Sequence, residues 1–283
     1  MAIREIRKVL TGQIQYDGAG VKLVRVIGRD DVYDFDPFLM LDAFDSHDPA
    51  DYIKGFPWHP HRGIETVTYL IRGKIEHGDS LGNKGNILDG ECQWMTAGSG
   101  ILHQEMPQAA ERMLGVQLWL NLPRQDKMTV PQYRDLSAAK IPKIQEENAT
   151  VGVISGHYQK TSGAIQGDYV KTLFLDVAVQ AGASWRMATE KDWTLFIYIL
   201  EGEGAFDAEG RQMIPGKSAV LFTEGEEIFA QSADKELRFL VFAGKPLKES
   251  IAWGGPIVMN TQEELQQAFK EIKEGTFIRE NNQ

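Results

Sequence analysis

The alternation of apolar and polar residues along this chain is mainly that of β-strands. In Met113–Leu122 a leucine or valine stands at every second position, and Thr172–Val179 shows a similar alternation. Successive side chains of a strand point to opposite faces, so this pattern indicates strands with one buried face. Strands are predicted over residues 14–27, 36–44, 66–71, 74–79, 113–122, 151–155, 172–179 and 194–202. Short strands separated by turn residues predict an all-β sandwich or barrel.

One helix is predicted, close to the C-terminal end. Thr261–Glu264 has the spacing of a capping box, in which the first and fourth residues satisfy each other's backbone N–H groups. Leu265, Phe269 and Ile272 follow on one helical stripe. A helix is therefore expected over residues 261–274.

The composition changes between the two halves of the chain. Residues 123–149 are rich in Pro, Gln, Lys and Glu and are interpreted as a connection between domains. The predicted domains are residues 1–130 and residues 145–283. Thr194–Gly202 echoes Glu65–Gly73, which suggests a duplicated barrel.

Two pairs of residues at strand spacing form a candidate metal site in the first domain. His59 and His61 are one pair, and His103 and Glu105 are the other. Side chains at i and i+2 of a strand share a face and are about 6.6 Å apart along it. Two such pairs on facing or neighbouring strands can close around one ion, with three imidazoles and one carboxylate as ligands.

Glu65 is a rival carboxylate for this site. It follows His61 by four residues, which places it about 13 Å farther along a straight strand. A bend at Arg62-Gly63 would shorten that distance, but Glu105 stands beside His103 on the same face. Glu105 is therefore preferred as ligand, and Glu65 is expected to be a structural or outer-sphere partner.

The second copy lacks these residues. When Tyr198 is aligned with Tyr69, Ala188 and Glu190 take the places of His59 and His61, and no histidine follows His157. The second domain is therefore expected to lack metal ligands.

Other chemically interesting residues have ordinary interpretations. His47 stands in a turn and is expected to be solvated or a cap, and His77 and His157 have no partner at ligand spacing and are expected to be structural or exposed. Cys92 is the single cysteine and is expected to be a buried, inert thiol. Two alternatives stay open for Trp58, Trp94, Met95 and Trp119, which either line an aromatic pocket near the metal or pack in the core.

Composition and charge limit the classes of function. The chain has 283 residues, 42% hydrophobic and 25% charged, as is usual for globular proteins. Its net charge of −10, without a cluster of basic residues, argues against direct binding to nucleic acid. No apolar run approaches the roughly 20 residues that span a bilayer, and the charged N-terminus lacks a signal-peptide core. A cytoplasmic monomer without membrane contact is expected.

The spacing of the candidate ligands resembles the cupin arrangement, and several longer stretches resemble the pirin family of two-cupin proteins. Those stretches are Asp36–Asp42, His59–Tyr69, Gln93–Pro107, Leu118–Leu122 and Gly254–Asn260. Gly98 and Pro107 depart from the general cupin motif in a way that pirins share. The resemblance implies two tandem jelly-roll β-barrels with a short C-terminal helix. It also implies a metal held by His59, His61, His103 and Glu105.

The same resemblance implies which metals the site would bind and which reaction it would catalyse. Three imidazoles and a carboxylate leave two open positions on an octahedral ion, which suits Fe(II) first and also Mn, Co, Ni or Cu. A structural Zn would prefer a closed tetrahedral set, which these four ligands could mimic, so Zn is a further candidate. The implied activity is that of a quercetinase-type dioxygenase, which opens a flavonol-like aromatic substrate with O2 and releases carbon monoxide. Glu105 would then act as ligand and general base.

Two alternatives belong to other classes of function. The first is a non-catalytic, iron-binding, redox-responsive regulatory protein that binds a protein partner, which the same family suggests. A sugar or phosphate isomerase on a cupin scaffold is disfavoured because no anion-binding loop is visible in the sequence.

Overall fold

The computed structural model describes residues 2–207, 209–210 and 212–279, and over these residues the chain forms 26 β-strands and one α-helix. The strands of the first half are β1 (Ile6–Leu10), β2 (Gln13–Asp17), β3 (Val21–Ile27), β4 (Phe38–Ser46), β5 (Phe56–His61), β6 (Ile64–Arg72), β7 (Ile75–Asp79), β8 (Lys84–Ile87), β9 (Glu91–Thr96), β10 (Ile101–Pro107), β11 (Met113–Asn121), β12 (Gln132–Leu136) and β13 (Lys143–Gln145). Those of the second half are β14 (Ala149–Ser155), β15 (His157–Tyr158), β16 (Thr161–Ser162), β17 (Thr172–Val179), β18 (Ser184–Ala188), β19 (Thr194–Glu201), β20 (Glu203–Ala205), β21 (Met213–Pro215), β22 (Ala219–Phe222), β23 (Glu227–Ser232), β24 (Leu237–Gly244), β25 (Ala252–Gly254) and β26 (Ile257–Met259). The helix is α1 (Gln262–Glu274).

Two compact units share this chain. The unit that we call the N-terminal unit comprises Gln13–Val32, Phe38–Ala138 and the chain from Leu247 onward. The C-terminal unit comprises the chain up to Gly12 together with Tyr33–Pro37 and Ala139–Pro246.

These units differ from the predicted bounds of 1–130 and 145–283, because each takes a segment from the far end of the chain. β1 pairs with β22 and so joins the C-terminal unit. β25, β26 and α1 bury a shared apolar cluster within the N-terminal unit. Pairings between residues so distant in sequence leave no local pattern that would predict them.

The N-terminal unit is a sandwich of two antiparallel sheets. One sheet has the order β12-β9-β6-β11-β4-β3-β2, and the other has the order β5-β10-β7-β8. Leu70 and Met113 from the first sheet pack against Ile75 and Ile87 from the second. The inner face of the four-stranded sheet carries the candidate metal ligands.

The C-terminal unit repeats this architecture with an apolar interior. Its sheets have the orders β1-β22-β19-β24-β17-β14-β13 and β18-β23-β20-β21. Trp185, Ile197 and Phe239 belong to a large buried cluster between them. Ala188 and Glu190, which align with His59 and His61, are exposed.

The predicted all-β architecture with two cupin-like barrels and a C-terminal helix is confirmed. The hydroxyl of Thr261 accepts a hydrogen bond from the backbone N–H of Glu264 at the start of α1, and Gly275 ends the helix with a φ of 73°. No helix of the described residues is long and apolar enough to cross a membrane.

The chain passes from the N-terminal unit to the C-terminal unit between Ala138 and Ala139, inside the segment 123–149 that was interpreted as a connection, but this segment also contributes a strand to each unit. β12 lies within this segment and pairs with β9 as the edge strand of the seven-stranded sheet. β13 pairs with β14 as an edge strand of the C-terminal unit. Edge strands are often polar because one side of their backbone faces water, and the composition of this segment therefore resembled that of a loop.

Candidate metal centre

Three histidines from two neighbouring strands form one cluster on the inner face of the four-stranded sheet. On the antiparallel pair β5–β10, His103 stands opposite His59 and Ile101 stands opposite His61. One nitrogen of each imidazole lies within 4.8 Å of the others. The ring centroids of His59 and His103 are 4.3 Å apart, and those of His61 and His103 are 4.9 Å apart. The strand alternation used in the sequence analysis thus brings the three predicted imidazoles together.

Backbone carbonyls determine which nitrogen of two of these rings is free. The Nδ1 atom of His59 lies 2.9 Å from the carbonyl oxygen of Pro57, and the Nδ1 atom of His61 lies 3.1 Å from that of Pro256. A carbonyl only accepts hydrogen bonds, so both Nδ1 atoms carry the proton and both Nε2 atoms present a lone pair. The two Nε2 atoms are 3.0 Å apart. A metal ion bound to both Nε2 atoms would satisfy these two lone pairs.

Burial keeps the imidazoles in the neutral form that binds metals. It lowers the pKa of His61 to about 3, and it also lowers the pKa values of His59 and His103. His103 is completely buried, and neither of its nitrogens has a hydrogen-bond partner among the described residues. Neutral imidazoles with unsatisfied nitrogens fit a divalent transition metal.

Glu105 lies near the cluster but is hydrogen-bonded elsewhere. It is on β10, two residues after His103, where the pairing with β5 shifts register. The hydroxyl of Thr68 lies 2.8 Å from a carboxylate oxygen of Glu105 and 2.5 Å from the Oε1 atom of Gln117. Burial raises the pKa of Glu105 to about 7. Among the described residues the close group of candidate ligand atoms holds the three histidines alone, so a ligand role for Glu105 stays a prediction.

The rival carboxylate Glu65 belongs to the opposite sheet. It lies on β6, directly across from Thr96 on β9, and the Thr96 hydroxyl donates to it at 2.7 Å. This position agrees with the structural role that the sequence analysis gave it.

A cavity of about 690 Å³ opens beside the cluster within the N-terminal unit. His59, His61 and Glu105 are part of its wall. Most of the remaining lining is apolar and includes Val21, Leu23, Met40, Phe44, Tyr52, Phe56, Ile75, Met113, Trp119 and Trp253. Arg25 also lines the cavity, where it makes two hydrogen bonds to the carboxylate of Asp42.

Of the four residues considered for an aromatic pocket, one lines the cavity. The ring of Trp119 meets that of His61 edge to face, with 5.0 Å between their centroids. Trp94 and Met95 are buried in the core, whereas Trp58 is 53% exposed. Trp119 thus fits the pocket alternative and Trp94 and Met95 fit the core alternative, whereas Trp58 fits neither.

Sequence reasoning missed several residues of the site. Thr68, Gln117 and Trp253 line the cavity, and Pro256 orients His61. The resemblance of residues 254–260 to pirins was a signal that this stretch had a role, but it did not say which.

The expectations for the other histidines and for Cys92 have mixed outcomes. The alternative that His77 is exposed is wrong, because His77 is buried next to His103. His157 is exposed in the C-terminal unit, and the Nδ1 atom of the exposed His47 lies 2.8 Å from the carbonyl oxygen of Glu111. Cys92 is buried as expected, and burial raises the pKa of its thiol.

Arg62, a buried arginine, links the turn after β5 to the turn before β10. Its guanidinium donates to the carbonyl oxygen of Ser99 at 2.6 Å and to that of Phe277 at 3.1 Å. It also forms an ion pair of 2.7 Å with Glu271 on α1. The turns that follow His61 and precede His103 are thereby fixed to α1 and to the segment that follows it.

Lys127 connects the chain after His61 to β26. Its ammonium group donates to the carbonyl oxygens of Gly63 and Val258 at 2.7 and 2.9 Å. Gly63 has a φ of 77°, and a Cβ there would lie 1.9 Å from the Val258 carbonyl oxygen. Only glycine permits this close approach of the two backbones.

Comparisons with known proteins extend these observations. Residues 20–120 match the family model Pirin, and residues 174–278 match the model for the pirin C-terminal cupin domain. A pirin-like protein of Caulobacter vibrioides is 40% identical over 98% of this chain and 100% of its own length. A Pseudomonas aeruginosa protein provisionally named quercetin 2,3-dioxygenase is 39% identical over 96% of this chain and 97% of its own length. The crystal structure of a quercetin 2,3-dioxygenase from Acinetobacter baumannii matches with a TM-score of 0.89 and 31% identity, over 98% of this chain and 99% of that one.

Proposed function

The chain belongs to the pirin family, and from this premise we propose that it is a metal-dependent dioxygenase of the quercetinase type. The reaction would open the ring of a flavonol with O2 and release carbon monoxide. The observation that supports this most is the cluster of three neutral imidazoles on the wall of a largely apolar cavity. The names of two relatives point in the same direction.

We propose His59, His61, His103 and Glu105 as the metal ligands, with Fe(II) as the first candidate. Soft thiolates are absent, since Cys92 is buried away from the described cluster, and imidazole with carboxylate suits Fe, Mn, Co, Ni and Cu. When bound, the metal would supply a Lewis acid for the substrate hydroxyl and a redox centre for O2.

Glu105 would take the proton of the flavonol 3-hydroxyl. Burial raises the pKa of this carboxyl group to about 7 in the metal-free protein, so its surroundings make it a stronger base than an exposed carboxylate. Thr68 holds one carboxylate oxygen at 2.8 Å, so the carboxyl group keeps one orientation while the proton moves.

The cavity suits a flat aromatic substrate. Its volume of about 690 Å³ falls in the range of roughly 300–1,000 Å³ that small-molecule pockets occupy. Trp119 lies between His61 and Trp253, with its ring centroid 5.8 Å from that of Trp253. This aromatic wall would stack against a substrate ring and exclude water from the reacting atoms.

The test is metal loading followed by turnover. Protein loaded anaerobically with Fe(II), Mn(II), Co(II), Ni(II) or Cu(II) is given quercetin and O2, and His61→Ala is compared with wild type. His157→Ala is the matched control, because it removes an exposed imidazole from the other unit. We expect metal-dependent quercetin loss in wild type and in the control, and none in His61→Ala. Stoichiometric metal binding without quercetin consumption would contradict the proposed enzyme.

A second candidate function is a redox-responsive regulatory protein with a protein partner. One observation favours it: Trp58 is 53% exposed and directly precedes the ligand candidate His59 on β5. A change at the metal would reach a surface aromatic of the kind that protein interfaces use. In that case ligand substitutions would alter partner binding while no substrate is consumed.

A further inference from the structure

His77 stands next to the histidine cluster without belonging to it. It lies on β7 directly opposite Glu105 on β10, and Asp79 lies opposite His103. Side chains at alternate positions of paired strands share a face, so all four point to the interior of the sandwich. The side chain of His77 is completely buried, and its ring centroid is 5.5 Å from that of His103.

The imidazoles of His77 and His103 both lack hydrogen-bond partners within the part of the chain that the structure describes. Neither ring nitrogen of either residue has a hydrogen-bond partner among the described residues. Buried polar groups in folded proteins are normally paired, so two adjacent unpaired imidazoles suit an interaction that forms when the metal is present.

His103 differs in this respect from the other two histidines of the cluster. His59 and His61 each have a backbone carbonyl next to Nδ1. A metal uses only one nitrogen of an imidazole, and the other N–H of a ligating histidine almost always finds an acceptor. The backbone of the described residues supplies none for His103, and the buried imidazole of His77 lies next to it.

His77 is oriented by Asp79. The Nε2 atom of His77 is 3.6 Å from the Oδ2 atom of Asp79. The other carboxylate oxygen of Asp79 accepts from the backbone N–H groups of Leu81 and Asn83, at 2.9 and 3.0 Å. A carboxylate at this nitrogen favours the tautomer with the proton on Nε2, which leaves Nδ1 of His77 as an acceptor.

Tyr133 fixes the plane of the His77 ring. The two rings are stacked, with centroids 4.6 Å apart and planes 19° from parallel. Gly85 on β8 stands opposite His77, and a Cβ there would lie 3.3 Å from the hydroxyl oxygen of Tyr133. The missing side chain at position 85 leaves the space that Tyr133 uses.

We propose that His77 is a positioning residue for His103, and that Asp79 is the anchor of His77. Nδ1 of His77 accepts the N–H of His103 that faces away from the metal, and Nε2–H of His77 donates to Asp79. The inference rests on the proposed metal centre and adds a residue to it. These two hydrogen bonds, from His103 to His77 and from His77 to Asp79, fix the orientation of the His103 imidazole and increase its basicity as a ligand.

The experiment measures Co(II) affinity by competition with a chelator, and the visible spectrum of the bound ion. In His77→Phe, which keeps the stacked ring but has no acceptor, we expect affinity to fall about 10- to 100-fold and the Co(II) spectrum to change. In His77→Gln the side-chain carbonyl restores part of the affinity. His157→Phe is the matched control, because it makes the same substitution at an exposed imidazole of the C-terminal unit; its affinity and spectrum stay those of wild type.

Unchanged affinity and spectrum in His77→Phe would overturn the inference and leave the metal centre standing. Failure of wild type to bind Co(II) would overturn both. If His77→Phe does not fold, imidazole ¹⁵N NMR of the Zn(II)-loaded wild type decides the question. We expect His77 to carry its proton on Nε2, and a proton on Nδ1 would overturn the inference.

Discussion

The Nδ1 atom of His61 lies 3.1 Å from the backbone carbonyl oxygen of Pro256, a residue 195 positions later in the chain. Pro256 stands in the turn between β25 and β26, and this hairpin belongs to the N-terminal unit. The late segment of the chain therefore decides which nitrogen of His61 is free for a metal. The site therefore combines residues of β5 and β10 with residues of the hairpin β25–β26 near the C-terminal end of the chain.

Glu105→Gln should separate metal binding from turnover. The amide keeps an oxygen that can bind a metal or accept from Thr68, but it cannot take up a proton. We expect the variant to retain bound metal and to lose about 10²- to 10⁴-fold in turnover, the usual contribution of a general base. Metal content by elemental analysis and quercetin consumption are measured on the same sample. Full turnover with metal retained would exclude Glu105 as the base.

Arg62→Met should destabilise the fold and weaken the site. Arg62 is buried and Glu271 is partly exposed, so the main cost is that the carbonyl oxygens of Ser99 and Phe277 lose their donor, at about 1–3 kcal/mol for each buried group left unpaired. Urea unfolding of the metal-free protein measures the loss. Arg186→Met, which breaks an exposed pair with Glu227, is the control and should change stability by less than about 1 kcal/mol. Equal effects of the two substitutions would contradict the structural role of Arg62.

Lys127 should make the free energy of unfolding rise with pH between about 7 and 10. Burial lowers its pKa to about 7, whereas an unfolded lysine titrates near about 10.4. Between these values the unfolded chain binds more protons, so stability rises with pH from 7 towards 10 and is lower below pH 7. The slope contributed by one group is at most about 1.4 kcal/mol per pH unit.

The variant Lys127→Met tests whether Lys127 causes this pH dependence of stability. It leaves the carbonyl oxygens of Gly63 and Val258 without their donor, each at a cost of about 1–3 kcal/mol. Unfolding free energies of both proteins are compared between pH 6 and pH 10. We expect the variant to be less stable and to lack the alkaline rise of wild type. A variant with the same pH profile as wild type would show that another group is responsible.

Cys92 offers a probe for metal-linked stability. Its thiol is buried and burial raises its pKa, so a thiol reagent should label it only when the protein opens. A metal at 100 times its Kd stabilises the folded state by about 2.7 kcal/mol and should slow labelling about 100-fold. His61→Ala is the control in which the metal should have no effect on the labelling rate. If metal slows the labelling of Cys92 equally in wild type and in His61→Ala, the metal binds at a site that does not include His61.

Much of the site was predictable because it depends on a short-range rule. The two-residue period of a strand puts His59 with His61 on one face, and the same rule made Glu65 too distant to join them. The structure keeps Glu65 on the opposite sheet, bonded to Thr96. The periodicity of α1 and its capping box are equally local signals and gave the helix correctly.

The remainder depends on long-range pairing, which leaves no pattern in a single sequence. Pro256 and Phe277 reach the site through contacts with residues about two hundred positions earlier. His77 was missed for a related reason. Its partners Tyr133 and His103 lie on other strands, and only the register of β7 with β10 brings His77 next to the cluster.

The most direct test of the proposed dioxygenase is the fate of ¹⁸O2 in a reaction of the metal-loaded protein with quercetin. Carbon 3 of the flavonol leaves with the oxygen it already carries, so the account predicts one unlabelled carbon monoxide per quercetin and two labelled oxygens in the ring-opened ester. His61→Ala should give neither product. Quercetin loss without carbon monoxide, at the same rate in wild type and His61→Ala, would contradict the account.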